Sequence, residues 1–222
     1  DKSQQDDSKK SDEPQNIKID LMRNQQNEDL KNKEEDSEQS NWYELRLKPN
    51  PTDKLPNRWG HHASFIHEGR LYIFGGNDIK EGTMDSMWMI NLAHFADLEK
   101  PDHMQNKICK WSEWETSGKH PGKVAYHTIN VIGDTAYLIG GSNEMAENEN
   151  VYTLYMNSFE WRVLNLVGEG PGAIEQHTAV VYNKSIIVYG GYCLKGRHVW
   201  VLNTDEWSWT MKPVGDDPRR FP

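Results

Sequence analysis

The sequence has little of what would commit it to covalent or metal chemistry. Its 222 residues include two cysteines, Cys109 and Cys193. They are too few for a disulfide framework and lack the paired spacing of a metal site. A reducing compartment, and so a cytoplasmic location, is the expectation. No run of about eighteen apolar residues is present to span a bilayer, and no apolar signal-peptide core stands near the start. Basic residues are in deficit, 25 Lys and Arg against 34 Asp and Glu, for a formal net charge of −9. Phosphate binding needs a basic stripe, so nucleic acid is not the expected partner. No activated Ser/His/Asp set and no paired carboxylates can be defended, so no catalytic residue is expected. The nine histidines are scattered or in repeat register, without ligand spacing, so neither a metal site nor a cofactor is expected.

Residues 1–40 lack aromatics altogether and hold seven Lys and Arg against twelve Asp and Glu. Such a segment cannot bury enough apolar surface to offset its ordering entropy, and a disordered acidic tail is expected.

What the rest of the chain has is a repeat. RLYIFGG at 70–76 returns as TAYLIGG at 135–141 and SIIVYGG at 185–191. The glycine pairs are Gly75-Gly76, Gly140-Gly141 and Gly190-Gly191. A histidine stands thirteen residues before each first glycine, at His62, His127 and His177, and a proline six residues before each histidine. A spaced aromatic follows at Trp88, Tyr152 and Trp200, and a tryptophan further on at Trp111, Trp161 and Trp207. The intervals of 65 and 50 residues mark a repeat architecture.

This pattern resembles the kelch repeat, the four-stranded blade of one class of β-propeller, and covers residues 42 to about 215. The resemblance implies an all-β fold with three complete blades, about 57–117, 122–167 and 172–214, within a propeller segment at 41–222. An outer strand at 42–47 and the opening of another repeat at 218–222 flank them. Propellers have about four to eight blades, and the family's rings usually have six or seven. The expectation is therefore an amino-terminal part of a larger ring, its remaining blades supplied by further carboxyl-terminal sequence. The first blade carries an insertion, 93–109, with a helical turn near HFADLEK.

Residues repeated in every blade build the scaffold. The histidine is expected to be a hydrogen-bonding wedge, and the glycine pair lets neighbouring blades approach closely. GEGPG at 168–172 imitates a phosphate loop, but no helix follows and its Gly and Pro match the preceding junction, so it reads as structural. Function is expected in loops that differ. Those after each second strand carry Asp78, Glu81 and Asp85, then Glu144, Glu147 and Glu149, then Lys195, Arg197 and His198. Two acidic loops beside a basic one form a polarised rim suited to a charged protein partner. The resemblance implies a non-catalytic interaction module or scaffold of cytoskeletal, trafficking or ubiquitin-ligase adaptor type. The alternative is the propeller of an enzyme, regulatory to a following catalytic domain such as a protein phosphatase, or itself metal-dependent.

Overall fold

The computed structural model describes residue 56 and residues 60–92, 110–195 and 198–213. The expected tail at 1–40, the outer strand at 42–47, the insertion at 93–109 and the segment 218–222 lie outside the described residues. Those described form strands, turns and loops with no helix.

In the first blade, β1 (Ala63–His67) and β2 (Arg70–Phe74) are joined at Glu68-Gly69. Both turn residues have positive φ, 45° and 68°, as a two-residue hairpin matched to right-handed strand twist requires. A small hairpin, β3 (Asn77–Asp78) and β4 (Gly82–Thr83), fills the loop. β5 (Met87–Asn91) and β6 (Ser112–Trp114) complete an antiparallel sheet in the order β1-β2-β5-β6.

The second blade has five strands where the repeat predicted four. β7 (Ser117–Gly118), in the linker, pairs in parallel with the outer strand β11 (Glu160–Val163). Inside it lie β10 (Val151–Tyr155), β9 (Thr135–Ile139) and β8 (Thr128–Ile132). The added strand arises because the Ser117 and Lys119 N–H groups donate to the Phe159 and Trp161 carbonyls.

In the third blade, β12 (Ile174–Glu175) pairs with β15 (Tyr192–Cys193). β13 (Thr178–Tyr182), β14 (Ser185–Tyr189), β16 (His198–Asn203) and β17 (Ser208–Pro213) form the antiparallel sheet.

Alternation along the second strands sets the packing, since successive side chains face opposite sides. Tyr72 and Phe74 of β2 pack against Ala136 and Leu138 of β9. Tyr137 and Ile139, on the other side of β9, pack against Ile186 and Val188 of β14. The second blade thus presents one face to the first blade and the other to the third.

One register expectation is corrected. Trp161 pairs with Leu154, and the same place in the third blade is held by Trp209, paired with Leu202. Trp207 instead occupies the turn, 46% exposed with φ +48°, as Phe159 does in the second blade with φ +51°. The EWSW sequence offers two tryptophans, and pairing selects the second because its side chain falls on the buried face.

Candidate loop-face site

Glycine and histidine build the junctions that hold the loops in place. Gly75 has φ +63° and Gly140 has φ +65°, so both favour glycine on conformation alone. A β-carbon at Gly75 would overlap the Val124 carbonyl oxygen, and one at Gly140 the Ile174 carbonyl oxygen; His127 and His177 close over the same two positions. His177 is buried and its Nε2 lies 2.9 Å from Thr128 Oγ1 of the preceding blade. Burial lowers the His177 pKa to about 4. His127 is lowered to about 3, by burial first and then by the nearby His177 and His62.

The residue before each of these histidines is left-handed without being glycine. His61, Tyr126 and Gln176 have φ of 62°, 63° and 56°. They are linked from blade to blade, the Gln176 N–H donating to the Tyr126 carbonyl and the Tyr126 N–H to the His61 carbonyl, both at 2.9 Å. The His61 and Tyr126 rings lie 4.1 Å apart. Backbone held in this sparsely populated region costs of order 1–3 kcal/mol per residue and concentrates at functional sites.

These residues and the loops after β2, β9 and β14 sit at the same ends of the strands. At matching places the loops present Ile79, Met145 and Leu194, which are 76%, 92% and 96% exposed. Sequence reasoning missed them because it looked for charge. Their signal was position, three or four residues beyond each glycine pair.

The candidate charges divide by role. Asp78 is buried, and its Oδ1 accepts from the N–H groups of Lys80 and Glu81 at 2.8 and 3.0 Å, so it shapes its loop. Glu144 reaches across the junction, its Oε1 accepting from the Thr83 N–H and hydroxyl, both at 2.7 Å. These bonds hold the Glu144 pKa below the usual carboxylate range. Ser142 likewise donates to the Glu175 carboxylate of the next blade. Glu81, Asp85, Glu147 and Glu149 are exposed. Glu147 and Glu149 line a cleft with Lys123 and Asn148. Lys195 is committed within the face, its Nζ 2.8 Å from Glu169 and 2.7 Å from the Gly170 carbonyl. His198 is half-buried, edge-on to Trp200 at 5.9 Å. Arg197 lies outside the described residues. The described part of the face is therefore acidic at Glu81, Asp85, Glu147 and Glu149, and its one described candidate lysine is paired.

Among the described residues no group of three His, Cys, Asp or Glu side chains could hold a metal ion. No helix among them is long and apolar enough to cross a membrane.

The family described as the KLHDC2/KLHL20/DRC7 Kelch-repeats domain matches residues 24–220. The chain is similar to Rho GTPase-activating protein gacHH of Dictyostelium discoideum, 24% identical over 176 residues, covering 76% of this chain and 11% of that protein. It is 24% identical over 207 residues to host cell factor of Drosophila melanogaster, covering 80% of this chain and 12% of that protein. Against Kelch domain-containing protein 3 of Bos taurus it is 31% identical over 101 residues, 43% of this chain and 26% of the relative. The chain thus spans between 11% and 26% of the length of these curated relatives.

Proposed function

This chain belongs to the kelch-repeat family, and from that premise we propose that it is a non-catalytic, cytoplasmic interaction module gripping a partner protein through its loop face. A fold shared by many functions does not name the function, so the reading rests on the site. The observation that carries it is the trio of solvent-facing apolar side chains Ile79, Met145 and Leu194, one per blade at matching places. Nothing in scaffold packing asks for them. They stand among the exposed carboxylates Glu81, Asp85, Glu147 and Glu149, a combination that offers apolar anchors within an acidic rim. The partner this fits is a basic protein segment carrying apolar side chains, with adaptor or scaffold as the role.

Site-specific photocrosslinking in cells tests the reading. A benzophenone side chain placed at Met145 or Leu194 is expected to trap a discrete protein. The same group at Lys184, in the hairpin turn at the opposite strand ends, is expected to trap none. Equal capture from both ends of the strands would count against the loop face.

A further inference from the structure

The two junctions between blades are built on one register and filled differently. At the first, the rings of Phe74, His120 and Trp161 pack together, with centroids 5.0 Å apart for Phe74–Trp161, 5.5 Å for Phe74–His120 and 6.0 Å for His120–Trp161. Trp114, paired with Met87, adds a further ring against Phe159 at 5.0 Å.

At the second junction four of these six places hold something smaller, while Phe159's place in the turn is taken by the larger Trp207. Ile139 stands where Phe74 stands, and its strand partner Val151 where Met87 stands. Leu164, whose N–H donates to the Val151 carbonyl, takes the place of Trp114. Gly170, before Pro171, takes the place of His120, before Pro121. The tryptophan is kept, as Trp209. Its indole leans toward Gly170, where a β-carbon would stand 2.6 Å from the ring. That shift does not fill the room vacated, and a cavity of about 320 Å³ remains, lined by Ile139, Val151, Leu164, Gly170 and Trp209. Four reductions in side-chain size converge on this one open cleft.

The rim adds polar demands. The Gly122 N–H donates to His120 Nδ1 at 3.0 Å. Gly172 occupies Gly122's place, and Gly170 has no side chain to accept from it. Lys195 spans the mouth, joined to Glu169 and the Gly170 carbonyl, with its ammonium 5.9 Å from the Trp200 ring centroid. Glu149 also lines the cleft.

We infer that this cleft between the second and third blades is an anchor site for an aromatic side chain of the partner, the ring entering the room left open between Ile139, Val151, Leu164 and the Trp209 indole. A ring bearing an acceptor, an imidazole nitrogen or a phenol oxygen, takes the Gly172 N–H as well. The inference rests on the loop face being the partner-binding side.

The test is an amide and indole N–H NMR titration of the full chain with N-acetyl-tyrosinamide, N-acetyl-histidinamide and N-acetyl-leucinamide. The two ring compounds are expected to give saturable shifts at the Gly170 and Gly172 amides and the Trp209 indole, with the leucine compound weaker by about fivefold or more. Ile139→Phe, which restores the ring of the first junction, is expected to abolish those shifts. Leu164→Trp fills the cleft from its other wall and serves the same purpose if Ile139→Phe does not fold. Absence of saturable shifts at the three reporters, or equal binding of the leucine compound, would overturn the site. If photocrosslinks still map to Met145 and Leu194 while the ring compounds fail, only the pocket falls. If the ring compounds bind and the crosslinks fail, the interaction reading falls instead.

Discussion

Thr128 Oγ1 and His177 Nε2 lie 2.9 Å apart and tie the second blade to the third. The same tie is missing one junction earlier. Ala63 stands where Thr128 stands and offers the buried His127 ring no hydroxyl; among the described residues neither ring nitrogen has a partner at hydrogen-bond geometry, and the Phe74 backbone is the polar group that favours its charged form. Ala63→Ser should supply the acceptor and raise stability by about 0.5–1.5 kcal/mol. Thr128→Ala should lower it by about 1–3 kcal/mol, since it orphans a buried imidazole. Urea unfolding of both variants decides the matter, and opposite signs are expected.

Gly140 and Gly190 hold equivalent places with similar φ, +65° and +74°, yet a β-carbon at Gly140 meets the Ile174 carbonyl and His177 while one at Gly190 meets nothing among the described residues. Gly190→Ala should therefore cost only the conformational term, about 1–2 kcal/mol. Gly140→Ala adds a forced separation of two blades and should cost more than twice as much, within the range of overpacked cores. Equal melting temperatures for the two variants would refute the close approach as the reason for the glycine.

Acid should loosen the junctions before it titrates the carboxylates. His127 and His177 are neutral in the fold down to about pH 3 and 4, whereas in the unfolded chain they take up protons from about pH 6.5. Their folded pKa values are lowered, so their contribution is intact above about pH 6.5 and is lost as pH falls toward 4. The loss by pH 4 is on the order of a few kcal/mol for each. Urea midpoints measured between pH 7 and pH 5 should fall steadily, and His177→Gln should flatten the slope. A midpoint independent of pH in that window would contradict the burial of these rings.

Glu144 joins the loop of the second blade to Thr83 of the first through two bonds to one carboxylate oxygen. Glu144→Ala should speed hydrogen exchange at the Thr83 amide and leave exchange in β9 unchanged. Acid should reproduce the effect only when pH falls through the lowered Glu144 pKa, because the bond needs the carboxylate. Unaltered exchange at Thr83 in the variant would show that the loop does not depend on this tie.

The kelch-type blades were legible because packing imposes them in every copy. His, Gly-Gly and the spaced aromatic recur at fixed offsets, and a one-residue slip would turn each strand's apolar set outward. The site was legible only in part. Charge on the loops could be read, but its commitment could not, since Asp78 is spent on its own turn, Glu144 on Thr83 and Lys195 on Glu169. The last two pairings join residues far apart in sequence and follow from how blade and linker meet, which no local pattern carries. The sequence points to Trp207 where the fold uses Trp209 for a related reason, because only strand pairing distinguishes two tryptophans in EWSW. The fifth strand β7 escaped notice because Ser117 and Gly118 have no strand signature and are recruited by the carbonyls of a neighbouring edge.

The most direct measurement is the affinity of the photocrosslinked partner for three forms of the chain, by calorimetry at fixed salt. One is the parent, one carries Ile79→Ser, Met145→Ser and Leu194→Ser together, and one carries Lys184→Glu with Asp205→Lys, which reverses the exposed ion pair at the opposite strand ends. The loop-face account predicts binding weakened by about tenfold or more in the triple variant and unchanged in the reversed pair. Full affinity in the triple variant, or loss in the reversed pair, would place the partner elsewhere and contradict the account.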